Sequence, residues 1–279
     1  MKSIKETLKQ NFLKVLVLSL VFTSAFARNN FNNDAPKHKT FVLVHGAWQA
    51  AFVWDEVKAQ LEKQGHHVIA VELQGHGKDQ SALADATLDN YVAKVTAAIN
   101  SVDGKVILVG HSLGGAIITQ TATKVPGKIE KLVYIAGFVP PTGKSLNDLA
   151  KQDPNPGITP ELLVLPPDYS TVTFANPEVN IPELFLKDGS KQQKELMVKN
   201  LKPEPTAPMG TPLQYDPKVF AGLDKYYVYT TQDRAISYTA QQQMVKAAGI
   251  TKTFTIEASH SPFVSKPAEV VTILLNLTK

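Results

Sequence analysis

The stretch "VILVGHSLGG", residues 106–115, restricts the folds open to this chain more than any other. Its near-continuous apolar, β-branched start suits a strand covered on both faces, as in a parallel sheet. The run gives way at Gly110, and "LGGAIITQTATKV" (113–125) then reads as a helix. Two glycines, Gly110 and Gly114, flank a single serine, Ser112, at the passage from strand to helix. At so sharp a turn the backbone tends towards strained angles, and neighbouring Cβ atoms would collide. Glycine removes those atoms. The G-x-S-x-G spacing between a strand and a helix therefore marks Ser112 as a candidate nucleophile rather than a helix cap.

The same alternation runs through the chain. "FVLVHG" (41–46), "VIAVEL" (68–73), "VILVGHS" (106–112), "KLVYIAG" (131–137), "YYVYTT" (226–231) and "TFTIEA" (253–258) read as strands. Between them, "WDEVKAQLEKQG" (54–65), "LDNYVAKVTAAIN" (88–100), the segment 113–125 and "TAQQQMVKAAG" (239–249) read as helices. "KPAEVVTILLNLTK" (266–279) is a last helix, with Ser265 and Pro267 as its start signal. Alternating strands and helices predict an α/β fold with a mostly parallel six-stranded sheet flanked by helices. With the spatial order second, first, third, fourth, fifth, sixth, the first and third strands are neighbours at a topological switch point. One region breaks the alternation: residues 140–217 hold 14 of the 18 prolines. A structureless loop of that length does not suit a compact domain, so the segment is expected to be an inserted cap. Residues 183–201 are expected to add one or two short helices to it. Phe174, Leu184, Phe185 and Met209 would line its pocket.

The first 27 residues read as a secretory signal peptide: Lys2, Lys5, Lys9 and Lys14, an apolar run from Val15, then Ala25-Phe26-Ala27. Residues 28–39 read as a flexible leader and 40–279 as one domain. The expected location is periplasmic or extracellular. The apolar run is shorter than the ~20 residues a membrane-spanning helix needs, and no later stretch is long enough to span a bilayer. Without the signal, 25 basic side chains face 24 acidic ones, so the formal charge falls from +4 to +1. That leaves no charge argument for nucleic acid or an anionic membrane as partner. The absence of cysteine excludes disulfides and thiol catalysis.

A serine hydroxyl is a weak nucleophile and needs a base within hydrogen-bond reach. Of the seven histidines, His38 falls in the leader, and His66 and His67 sit at a turn where solvated residues are expected. His45 and His111 lie within strand-end motifs, and His76, in "LQGHGKD", suits a structural task. His260, in "EASHSPF", ends the last strand at the sheet edge where Ser112 also emerges; it is the candidate base. A carboxylate must fix its tautomer. Asp224 precedes its strand, Glu257 falls inside the final one, and after "KLVYIAG" no acid occurs before Asp148. Asp233, just past a strand end, is left. The order Ser112, Asp233, His260 is that of nucleophile-elbow hydrolases. Backbone N–H groups of Ala47 and Leu113 would cradle an oxyanion, each donor commonly mattering by ~3 kcal/mol.

On these residues the chain resembles the α/β-hydrolase superfamily over 40–279. "FVLVHGAW", "GHHVIAVEL", "KVILVGHSLGG", "TTQDRAIS" and "ASHSPF" resemble more closely its methylesterase and hydroxynitrile lyase branch. The resemblance implies Ser112, Asp233 and His260 as a triad, Ala47 and Leu113 as oxyanion donors, and a cap between the fourth and fifth strands. Plant lyases of the branch carry a lysine after the catalytic histidine and a threonine in the oxyanion loop. Ser261 and Gly46 stand there instead, and "WQAAF" follows the oxyanion alanine. The expected activity is cleavage of small carboxylic esters through an acyl-enzyme. Lactonase, thioesterase or amidase activity on the same triad, or ligand binding with little turnover, are the alternatives. With no HExxH, GxGxxG or basic stripe, neither metal nor cofactor nor nucleic acid is expected.

Overall fold

The structure, a computed structural model, describes residues 38–279. The signal-peptide reading and nearly all of the leader lie outside the described residues. Six strands make one sheet: β1 (Thr40–Val44), β2 (His67–Val71), β3 (Val106–His111), β4 (Ile129–Ile135), and, after an insert, β8 (Lys225–Thr230) and β9 (Lys252–Ile256). Their order is β2-β1-β3-β4-β8-β9, and every neighbouring pair is parallel. This is the sheet order expected from the sequence.

Side chains alternate across the sheet as a period of two requires. Phe41, Leu43, Ile107, Val109, Val133 and Ile135 pack on one face with helices α1 (Asp55–Lys63) and α11 (Pro267–Asn276). Val42, Val44, Leu108, Leu132 and Tyr134 pack on the other, with α2 (Leu88–Asn100), α3 (Leu113–Lys124) and α9 (Tyr238–Ala247). Cover on both faces is why β3 is buried at all six positions. Ser265 does not start the last helix. It ends a short preceding turn of helix, α10 (Pro262–Ser265), and α11 begins at Pro267 without a side-chain cap.

Between β4 and β8 the chain builds a second layer above the carboxyl edge of the sheet. It holds α4 (Leu146–Ala150), α5 (Pro177–Phe185), α6 (Lys191–Lys199), α7 (Thr206–Gly210) and α8 (Pro217–Ala221). Three short strands, β5 (Leu163–Val164), β6 (Thr171–Phe174) and β7 (Glu204–Pro205), pair antiparallel in the order β5-β6-β7. Prolines start α5 and α8, where the missing N–H costs nothing. Val172, Phe174, Phe185 and Met209 join the same core as Trp48, from the turn after β1.

Candidate active site

Register sets the site. Val44, the last residue of β1, pairs with Gly110 on β3, so the turn after β1 and the turn after β3 leave the sheet side by side. Ser112 sits on the second turn at φ 52°, ψ −120°, a conformation that costs a non-glycine residue ~1–3 kcal/mol unless its surroundings impose it. Here they do. Its carbonyl accepts from Gly115 N at 2.9 Å and Phe138 N at 3.0 Å. A Cβ on Gly110 would lie 2.5 Å from the Gly114 carbonyl oxygen, and one on Gly114 would lie 2.7 Å from that of Val44. The glycines let α3 begin pressed against the sheet.

His260 follows β9 and is wholly buried. Its Nδ1 donates to Asp233 Oδ2 at 2.7 Å, which leaves Nε2 with the free lone pair. Among the described residues Nε2 has no hydrogen-bond partner. Asp233, past the end of β8, is held on both oxygens. Oδ1 accepts from Ala235 N at 2.8 Å and Ile236 N at 2.9 Å, while Oδ2 also accepts from Thr230 Oγ1 at 2.8 Å and Gln241 Nε2 at 3.2 Å. The carboxylate is thereby fixed in position and in turn fixes the imidazole. Asp224 sits at the opposite edge with Lys252 and Tyr226. Glu257 lies one residue beyond β9, exposed and bonded to Gln232. Asp148 closes a capping box on α4.

The remaining histidines have distinct tasks. His111 Nε2 donates to the His260 carbonyl at 2.9 Å; burial and the neighbouring His260 push its pKa well below the ordinary value, so it is a neutral prop. His45 Nδ1 donates to the Gly46 carbonyl at 2.9 Å, and its Nε2 accepts from Leu73 N at 3.3 Å. Burial first, then the adjacent His76, lowers its pKa to about 3. Because the peptide is planar and trans, a Gly46 carbonyl turned to His45 aims the Ala47 N–H the opposite way. Neither the Ala47 nor the Leu113 N–H is engaged by a backbone acceptor among the described residues. His66 departs from expectation: it is buried, edge-on to Phe41 at 5.4 Å, with Nδ1 accepting the Lys39 N–H at 3.2 Å.

Ala47, Ser112 and His260 line one cavity of about 180 Å³. Its wall is otherwise largely apolar, with Trp48, Phe138, Leu146, Val172, Phe185 and Met209, and Asp153 is its one carboxylate. Of the four apolar groups expected to line a pocket, Phe185 and Met209 do; Phe174 lies behind, 4.8 Å from the Trp48 ring, and Leu184 is buried in the core. The position after His260 carries the buried Ser261, whose Oγ accepts from Gln49 Nε2 at 2.9 Å. Sequence reasoning missed Glu204, a wholly buried acid of the insert that meets His76 Nε2 at 2.8 Å. Nothing local in "KPEPTAPMG" signals it.

Residues 41–273 match the sequence profile described as the Alpha/beta hydrolase family. The chain is 30% identical over 265 residues to Methylesterase 7 of Arabidopsis thaliana, covering 88% of this chain and 98% of the relative. Among solved structures, polyneuridine aldehyde esterase superposes with a TM-score of 0.78 at 23% identity, covering 87% of this chain and all of the other. An extracellular alpha/beta-hydrolase from a Paenibacillus species, described as sharing structural and functional homology with tobacco salicylic acid binding protein 2, gives 0.71 at 26% identity, covering 85% and 98%.

Proposed function

Because the chain belongs to the alpha/beta hydrolase family, we propose that it is a serine hydrolase cleaving small, uncharged carboxylic esters through an acyl-enzyme. One observation carries the reading. His260 is tied to Asp233 through Nδ1, while its unpartnered Nε2 and Ser112 belong to the same cavity. In the proposed cycle Nε2 takes the Ser112 hydroxyl proton as Oγ attacks the ester carbonyl. The tetrahedral oxyanion accepts from the Ala47 and Leu113 N–H groups, and Asp233 stabilises the imidazolium. Collapse expels the alcohol with the proton from Nε2. Water, deprotonated by the same nitrogen, then releases the acid.

The cavity supports the substrate class. Its volume suits a small acyl group, its wall is mostly apolar, and its lining has no lysine or arginine. Asp153, held by Ser237 N at 2.9 Å and Asn155 N at 2.8 Å, disfavours anionic esters and repels the carboxylate product. The name of the Arabidopsis relative points towards methyl esters. Cyanohydrin cleavage is not favoured, because a departing cyanide wants a cation and the residue after His260 is a neutral serine. A fluorophosphonate probe tests the reading. Covalent labelling of the wild type, absent in Ser112→Ala, together with hydrolysis of neutral methyl or aryl esters, is expected; an unlabelled wild type would overturn it.

A further inference from the structure

The strongest feature outside the proposed triad is the buried acid of the insert. Glu204 is fully buried on β7. Its Oε2 accepts from the backbone N–H of Trp48 at 2.7 Å and from His76 Nε2 at 2.8 Å. His76 Nδ1 faces the Gln74 carbonyl at 3.0 Å. Both ring nitrogens therefore meet acceptors, as a doubly protonated imidazolium requires, and the Tyr91 hydroxyl lies 3.5 Å from Nδ1. Burial alone would lower the His76 pKa, but the Glu204 charge and hydrogen bond, together with the Gln74 carbonyl and Glu72, outweigh it and the net shift is upward. The buried acid is thus neutralised by an ion pair rather than left alone.

What this pair holds is the residue after Ala47. Trp48 has φ 59°, a left-handed conformation that an L side chain with a bulky ring adopts only under constraint. The insert supplies the constraint twice: Glu204 takes the Trp48 N–H, and the Val172 carbonyl takes the indole Nε1–H at 2.9 Å. On the other side of Ala47, His45 holds the Gly46 carbonyl, and its ring lies 5.0 Å from that of His76. Ala47 is one residue between two pinned peptides.

We infer that Glu204 is a positioning residue for ester cleavage, holding the Trp48 N–H so that the strained turn keeps the Ala47 N–H aimed at the oxyanion. This rests on the hydrolase reading above. Without that acceptor the Trp48 N–H is buried unpaired, and the turn relieves both costs by rotating about Ala47 and Trp48. Ser112, His260 and Asp233 stand on the segments that follow β3, β9 and β8, and keep their own bonds. The loss falls on the transition state and spares the ground state.

Three substitutions test this. Glu204→Leu removes the acceptor at similar volume; Glu204→Gln keeps a carbonyl oxygen at the same reach; Glu204→Asp keeps the charge but withdraws it by one methylene. Removing an oxyanion donor outright costs ~10²–10³ in kcat, so a misaimed donor is expected to cost about 10- to 100-fold. Glu204→Leu and Glu204→Asp should show that loss with KM within about twofold, and with equal weakening of a boronic-acid inhibitor. Glu204→Gln should recover most of the lost kcat. If the leucine variant does not fold, the ranking of glutamine above aspartate decides. Equal kcat in the three variants, aspartate above glutamine, or a loss confined to KM would overturn the assignment. The fluorophosphonate separates the two levels. An unlabelled wild type sinks the hydrolase reading, whereas wild type and variants labelling at one rate sink only the role of Glu204.

Discussion

Replacing Gly46 by alanine should damage the proposed site through geometry alone. A Cβ on Gly46 would lie 2.7 Å from His111 Nδ1 and 2.7 Å from Ser112 Cβ. Unbonded carbon atoms settle at ~3.5–4.0 Å, so the methyl arrives roughly 0.8 Å or more too close on two sides. Neither neighbour can swing away. Ser112 Cβ is rigidly attached to the strained turn, and the His111 ring is tied to the His260 carbonyl and packed edge-on to Phe263 at 4.7 Å. The turn after β1 must therefore part from the turn after β3. Overpacking of this kind costs ~1–3 kcal/mol, which in a domain of this size lowers Tm by about 3–10 °C. The same parting moves the Ala47 N–H relative to Ser112, and a misplacement near 1 Å costs on the order of 10²-fold. Thermal melts and kcat/KM on p-nitrophenyl acetate read the two effects separately. A Gly46→Ala protein with unchanged Tm and unchanged kcat/KM would refute the reasoning. Gly46→Thr should be worse than alanine, so the lyase residue at this position cannot be installed alone.

The proposed triad should behave as a unit: Ser112→Ala and His260→Ala each lower kcat by ~10⁴-fold or more, and steady-state kinetics of the double variant should show little further loss. Asp153→Asn should narrow the preference for neutral over anionic esters several-fold, read as the ratio of kcat/KM for methyl butyrate to that for monomethyl succinate; an unchanged ratio removes Asp153 from specificity. The raised pKa of His76 stabilises the fold fully below its unfolded value of 6.5 and loses that contribution as pH rises through the folded one. The wild-type Tm should therefore fall as pH rises above 6.5, and His76→Phe should lack that slope. We also propose that the chain is exported and cleaved after Ala27, so mass spectrometry of exported protein should find Arg28 or a near neighbour at the N-terminus, and an intact Met1 would contradict it.

The sheet was legible because its signals are local. A both-sides-buried strand such as "VILV" shows in four residues, and the six runs name the six strands of the main sheet to within about two residues at each end. The ends slipped where the site begins. "FVLVHG" reads as strand through Gly46, yet β1 stops at Val44, because His45 to Trp48 must leave the ladder to form the turn that carries the Ala47 N–H. Ser112 was legible from steric necessity, since only glycine tolerates the approach of α3 to β1 at that spacing. Asp233 and His260 were legible from topology, which sends strand ends to one edge. Glu204 was not. It lies 156 residues from Trp48 and 128 from His76 in sequence, inside a proline-rich segment without a period. Its burial is decided by the way the insert folds back over the sheet. His66 fails for a related reason: a turn position suggests solvent, and only the packing of Phe41 and Lys39 against it shows otherwise. Residues named by local pattern are those on the sheet, whereas residues that close the site from above depend on a fold-back that no short window records. Differences in substrate choice among chains with this same sheet are accordingly expected in the insert, where Phe185, Met209 and Asp153 face the cavity.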